Sequence, residues 1–239
     1  MTGHVLSLDR LAGRTGRGVR VAVIDSGVHV GHPHVGAVAG GAGFGDDGRQ
    51  TPDYADRLGH GTAVAAAIRE KAPDVSLLAA RVFERALSTS GLALVEAIRW
   101  AVAERADLIN LSLGTANPEH ELSLSAMVAH ARAHGALIVA AAPADGVRWL
   151  PGALDGVIGV EVDWGCPRDR CVVSIGSGFR PRVSASGLPR PIPGVPPERN
   201  LRGQSFAVAN ATGFVALFVE GRGVRTVAEF EVLLGSLAV

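Results

Sequence analysis

The chain has 239 residues, with 23 Lys+Arg against 23 Asp+Glu and 47% hydrophobic side chains. That much apolar surface without a charge excess excludes a disordered tail or polyelectrolyte. A balanced charge also argues against a nucleic-acid partner, which calls for a net basic face. Along the first twenty residues Asp9, Arg10, Arg14, Arg17 and Arg20 interrupt every apolar run, so no secretory signal is expected. The apolar run at residues 135–142 is too short to span a bilayer, so no membrane partner is expected either. Cys166 and Cys171 are too few for a disulfide framework. A soluble, cytoplasmic chain forming one domain over residues 1–239 is the expectation.

In chain order, residues 19–24 (VRVAVI) form a buried-strand pattern that ends at Asp25-Ser26-Gly27. Residues 60–71 are Ala-rich and helical, and residues 75–82 (VSLLAARV) are strand-like. Over residues 91–105, Leu94, Val95, Ile98, Ala101 and Val102 fall on one helix face. A strand at 108–113, a helix at 122–134, and strands at 136–142 and 157–162 follow. The Pro-rich stretch 188–197 can be neither a helix nor a central strand and reads as an exposed extended loop. A helix opens at Gly203 and runs to about Phe218. Alternation of this kind predicts an α/β fold, a three-layer αβα sandwich around a mostly parallel sheet. Sites in such sheets lie beyond the carboxyl ends of the strands, where Asp25 falls.

Three local patterns carry candidate chemistry. VAVIDSGV at 21–28 delivers an acid from a strand into a turn. GHGTA at 59–63 places His60 at a helix start, and GQSFAVANATG at 203–213 places Ser205 at another. Each alone is commonplace, as a turn residue, a loop histidine or a helix cap. Together they offer an acid, a base and a nucleophile. A serine hydroxyl near pH 7 needs a positioned base, and imidazole suits that task.

The Asp, His, Ser order on a parallel α/β pattern resembles the subtilisin-like serine peptidases, or subtilases. VAVIDSGV followed by His32-Pro33 resembles their Asp motif. Residues 60–66 resemble His-Gly-Thr-His-Val-Ala-Gly, and 203–209 resemble Gly-Thr-Ser-Met-Ala-x-Pro. Residues 109–114 (INLSLG) resemble the family's substrate-binding strand, and 149–152 with 157–160 the segment after its oxyanion residue. The resemblance runs from about residue 18 to 218 and implies a subtilisin-like fold and a catalytic triad of Asp25, His60 and Ser205. It implies that the Ser205 N–H helps hold the oxyanion. It also implies that an extended peptide or protein substrate lies along Leu111, Ser112, Leu113 and Gly114, with Ala141 and Gly152 lining a pocket of small residues.

The chain departs from that pattern where the family carries an oxyanion asparagine: the position falls on Ala144, in Ala141-Ala142-Pro143-Ala144-Asp145-Gly146. Asp145 could donate only if protonated. Gln204, where the family has threonine, is expected to supply a substitute donor or else to face solvent. Ala63 replaces the second histidine of the His motif, and Ala209 the proline of the Ser motif.

His29, His32 and His34 read as structural, and Asp46-Asp47 and Asp53–Asp56 do not make a calcium cage, so no metal or other cofactor is expected. Cys166 and Cys171 read as a reduced pair or a redox-dependent loop clasp. The expected function is serine endopeptidase activity that matures a precursor peptide, such as leader removal in ribosomal natural-product synthesis. Only 24 residues precede Asp25, so no folding propeptide is expected. The rival reading is a peptide-binding or scaffold subunit with impaired catalysis, working with a partner subunit.

Overall fold

The computed structural model describes residues 3–175 and 180–236. Its centre is a sheet of ten strands. The strands are β1 (Gly3–Ser7), β2 (Arg20–Asp25), β3 (Gly40–Phe44), β4 (Gln50–Thr51), β5 (Ser76–Arg81), β6 (Leu108–Leu111), β7 (Leu137–Ala141), β8 (Val157–Val162), β9 (Arg170–Ile175) and β10 (Pro181–Ala185). Their spatial order is β1-β9-β10-β8-β7-β6-β2-β5-β3-β4. From β10 across to β3 every neighbouring pair is parallel. Antiparallel pairs occur at the two margins, with β1 and β9 on one side and β4 on the other.

Helices α1 (His60–Lys71), α2 (Gly91–Ala103), α3 (Glu121–Ala133), α4 (Gln204–Val219) and α5 (Val227–Gly235) cover the sheet. Successive strand residues face opposite sides. Val21 and Val23 of β2 join α1 and α4 in one buried core, while Ala22 and Ile24 join α2 and α3 in another. Both faces are therefore covered, which is why the central strands are near-continuous apolar runs. This is the three-layer α/β sandwich expected from the sequence. Val227, Phe230 and Leu234 place α5 on the α1/α4 side, where Phe230 meets Phe218 edge to face.

Helix α4 is buried along nearly its whole length, from Phe206 to Val219. A helix that is apolar all round has no solvent face to offer, so it runs through the core. It packs against β6, β7, β8 and β10. Among its few polar groups, Asn210 Nδ2 donates to the carbonyls of Ser186 and Leu188 at 2.8 and 2.9 Å.

The expected elements lie within two residues of those observed; the 91–105 helix and the 108–113 strand are the loosest fits, since α2 ends at Ala103 and β6 at Leu111. Strand β2 sits between β5 and β6, so the chain leaves it in one direction and later returns on its other side. Such a switch opens a crevice at the carboxyl end of the strand, and β2 ends on Asp25.

Candidate active site

Asp25 is completely buried. Its Oδ1 accepts the Ser26 N–H at 2.7 Å and lies 2.7 Å from Nδ1 of His60. A carboxylate can only accept, so the Nδ1 proton belongs to His60 and Nε2 is left to act as the base. His60 is the first residue of α1, following Gly59 in the left-handed region at φ 81°. Gly61 comes next, and a Cβ there would lie 2.2 Å from the Gly27 carbonyl oxygen. Only a glycine lets the helix approach the Asp25–Gly27 turn closely enough for the pair to form.

A second carboxylate organises this turn. Asp56 accepts from the N–H groups of Leu58, Gly59 and Thr62 at 2.9, 2.8 and 2.9 Å. It also accepts from the hydroxyls of Ser26 and Thr62 at 2.8 and 2.5 Å. The Ser26 hydroxyl in turn accepts the Gly61 N–H at 2.8 Å. Asp56 therefore satisfies free N–H groups at the start of α1 and fixes the turn that carries Asp25. Burial works against its charge, but the Thr62, Leu58 and Ser26 hydrogen bonds prevail and hold its carboxyl below the usual range. For His60, burial also disfavours the charged form. The Asp25 hydrogen bond and charge, with Asp56 behind it, outweigh that and hold the ring above its ordinary value.

Ser205 stands in the first turn of α4. Phe206 N–H and Ala207 N–H both reach the Gly203 carbonyl, at 3.1 and 3.4 Å, and the Ser205 N–H lies in the turn where a helix has no acceptor of its own. The Ser205 hydroxyl donates to the Ser112 carbonyl at 3.1 Å, and the Ser112 hydroxyl donates back to the Ser205 carbonyl at 3.0 Å. Behind them, Asn110 Nδ2 donates to the Ser112 hydroxyl at 3.0 Å, and Thr212 donates to Asn110 Oδ1 at 2.9 Å. This buried polar chain ties the start of α4 to the end of β6. Among the described residues Ser205 Oγ makes no hydrogen bond to His60, but both side chains line one cleft of about 390 Å³.

A sequence model of the Subtilase family matches residues 16–161. Subtilisin E of Bacillus subtilis (strain 168) is 31% identical over 221 residues, which cover 87% of this chain and 55% of that protein. The chain belongs to the subtilase family. It spans about half the length of the curated subtilases it matches. A cold adapted subtilisin-like serine proteinase has a similar structure, with a TM-score of 0.71 and 23% identity over 94% of this chain and 82% of that one. The prenylagaramide maturation protease PagA gives a TM-score of 0.65 and 27% identity over 89% and 79%.

Against the subtilase pattern, the structure corrects three expectations. Gln204 is neither a substitute donor nor solvent-facing: its Nε2 donates to Val160 O at 2.6 Å and its Oε1 accepts the Val162 N–H at 3.1 Å. The amide is taken up by β8, which runs past the start of α4. Ala144 and Asp145 form a tight hairpin, with reciprocal Ala144–Val147 hydrogen bonds at 3.2 and 2.8 Å and left-handed φ of 51° and 75° at Asp145 and Gly146. Ala144 borders a different cavity from the one holding Ser205, beside Arg180 and Arg182.

The third correction concerns the substrate-binding residues. Ser112, Leu113 and Gly114 line the cleft with His60 and Ser205. Leu111 is buried in the core as the last residue of β6. Ala141 and Gly152 pack on each other instead, so closely that a Cβ on Gly152 would lie 1.7 Å from the Ala141 carbonyl oxygen. Thr115 and Leu150 exchange hydrogen bonds at 3.0 and 2.9 Å, and Trp149 lies against Gly114, so that side is occupied by the chain itself. The cleft opens on the other side, toward Phe83, Leu87, Leu94, His120 and Leu124.

Ser26, Asn110 and Thr212 lie inside the sequence motifs but receive no role from them, and Asp56, which lies outside them, is missed as a contributor to the site. Asp56 carries one usable signal, an acid placed shortly before the Gly59 cap of α1. Among the described residues no group of three or more His, Cys, Asp or Glu side chains is arranged to hold a metal ion. His32 and His34 instead meet edge to face at 5.3 Å.

Proposed function

We propose that this subtilase is a serine peptidase using Asp25, His60 and Ser205, and that it matures a precursor peptide. The observation that carries the reading is the buried Asp25–His60 pair at 2.7 Å, sharing one cleft with a serine at a helix start. A peptide lies extended along Ser112–Gly114, pairing its main chain there. Rotation of the Ser205 side chain from Ser112 O toward His60 Nε2 makes the hydroxyl a nucleophile. His60 takes the proton as Oγ attacks the scissile carbonyl, and Asp25 stabilises the imidazolium. The Ser205 N–H and the positive end of α4 hold the oxyanion. His60 then protonates the leaving amine, and water attacks the acyl-enzyme with His60 again as base.

Precursor maturation is supported by the likeness to a prenylagaramide maturation protease at 27% identity. A cytoplasmic setting is part of the reading, motivated by the charges that interrupt every apolar run in the first twenty residues. No described helix is long and apolar enough to cross a membrane. The test is hydrolysis of precursor-derived peptides by the purified chain, with Ser205→Ala and His60→Ala as controls. Cleavage abolished by both substitutions supports the reading; cleavage that survives Ser205→Ala contradicts it.

A second reading is favoured by one set of observations. Ala144 has no donor, the Gln204 amide is engaged by β8, and the Ser205 hydroxyl is paired with Ser112. A peptide-binding subunit, working beside a partner that cuts, fits those facts. It predicts micromolar or tighter peptide binding by the wild-type chain without turnover.

A further inference from the structure

Helices α2 and α3 pack over β2, β3, β5 and β7 on their side of the sheet. Farther toward the β10 margin, that side carries polar chemistry instead. Val183 of β10 belongs to the α1/α4 core, so its neighbour Arg182 faces the α2/α3 side. There Arg182 meets the Ala144–Val147 hairpin across a cavity of about 430 Å³, which Arg148 and Arg180 also line. Gly159, the β8 partner of Arg182, makes room for its side chain: a Cβ there would stand 2.8 Å from Arg182 Nη1. That Nη1 is buried and has no acceptor among the described residues. Arg148 pairs with Glu121 and Arg180 with Asp155, whereas Arg182 pairs with no carboxylate among the described residues.

A buried charged N–H without an acceptor is costly, and an anion in the cavity supplies one. The Arg148 and Arg180 pairs are largely exposed, and such pairs hold weakly. Their carboxylates, Glu121 and Asp155, border the adjoining groove rather than this cavity. Asp145, at the hairpin tip, is the one acid that lines it, and among the described residues it forms no ion pair with the three arginines. Three guanidinium groups around one space offer more donors than the two oxygens of a carboxylate can accept. A phosphate brings more oxygens and up to two charges. We infer that Arg148, Arg180 and Arg182 bind a phosphate ion in this cavity. The bound ion joins the hairpin, through Arg148, to β10, through Arg182. The hairpin leads directly into Trp149 and Leu150, which pack on Gly114 and Thr115, so the ion also steadies one wall of the cleft. The inference is independent of the peptidase reading.

The test is isothermal titration calorimetry of the full chain with inorganic phosphate, near pH 8 where the dianion prevails and at constant ionic strength. Ser205→Ala serves as the parent, so that self-cleavage cannot intrude. One site is expected, with a Kd of about 1 mM or tighter, and excess phosphate should raise Tm. Arg182→Gln, folded by circular dichroism, should weaken binding by about tenfold or more, because a hydrogen bond to a charged group is lost. Arg148→Gln and Arg180→Gln change exposed side chains and decide the matter if Arg182→Gln does not fold; each should weaken binding by about threefold or more. Arg85→Gln, at an exposed arginine that does not line the cavity, should bind like the parent. Three results overturn the inference. The first is no saturable binding up to about 20 mM phosphate. The second is an affinity that the arginine variants of the cavity leave unchanged. The third is acetate binding as tightly as phosphate.

Discussion

Asp56 and His60 couple through charge as well as through the turn they share. The Asp56 carboxylate helps raise the His60 pKa above its ordinary value of 6.5. The base must be neutral to accept the Ser205 proton, so kcat/KM should climb with pH through that raised pKa. Asp56→Asn removes the charge, and the acidic limb of the kcat/KM profile should move to lower pH, toward 6.5. An unmoved limb would remove Asp56 from the electrostatics of the site. At the oxyanion, losing one side-chain donor costs about 10²–10³-fold in kcat, a magnitude that belongs to subtilisin rather than to this chain. Ala144 borders a different cavity from Ser205, so Ala144→Asn alone should not recover that factor in peptide hydrolysis; a gain of about tenfold or more in kcat would mean that the hairpin turns toward the cleft. Gln204→Ala should instead lower stability, by about 1–3 kcal/mol in denaturant unfolding, because it strips β8 of partners at Val160 and Val162. The three residues of the proposed triad are legible in the sequence because each stands in a local pattern. The partners of the Gln204 amide and the Ser205 hydroxyl are not, because they lie 44 and 93 residues away and only the fold brings them near.

The contact between α1 and β2 sets the spacing of Asp25 and His60, and the contact between α4 and β6 sets the position of Ser205. In Gly61→Ala the added Cβ would meet Gly27 O at 2.2 Å, so α1 must move away. The expected outcome is a large loss of kcat, with the His60–Asp25 hydrogen bond weakened or broken. Asn110→Ala removes the middle of the chain joining Thr212 to Ser112, leaving buried polar groups unpaired. It should cost about 2–3 kcal/mol of unfolding free energy. The strands β2, β5, β7 and β8 are readable from apolar runs. Strand β3, Gly-Gly-Ala-Gly-Phe, is not, because it has almost no side chain to reveal a pattern. Strands β9 and β10 and helix α5 escape sequence reading too, since short elements at the sheet margin and chain end carry weak periodicity.

Across the whole molecule, Asp56 and His60, two of several groups with shifted pKa values, set opposite pH dependences of stability. The Asp56 pKa is depressed, so its contribution is present above its unfolded value near 3.8 and is lost as pH falls through the lower folded value. The His60 pKa is raised, so its contribution is complete below 6.5 and is lost as pH rises through the folded value. Thermal unfolding followed from about pH 2 to 9 should show both limbs, and Asp56→Asn should flatten the acidic one. Burial pushes both thiols up, Cys171 most strongly, and both are inside the fold. The overall architecture is legible in the sequence because strand–helix alternation leaves few alternatives. The location of the cleft is not, because it depends on how the Trp149–Leu150 segment folds back on Gly114 and Thr115.

The proposed catalysis requires that the Asp25–His60 pair turn the Ser205 hydroxyl into a nucleophile. Mass spectrometry of the purified chain after treatment with a fluorophosphonate reads that out at the residue itself. One phosphonyl group is expected on the peptide containing Ser205, absent in Ser205→Ala and nearly absent in His60→Ala. An unlabelled wild-type chain, or labelling that persists undiminished without His60, would mean that the three side chains do not act as a triad.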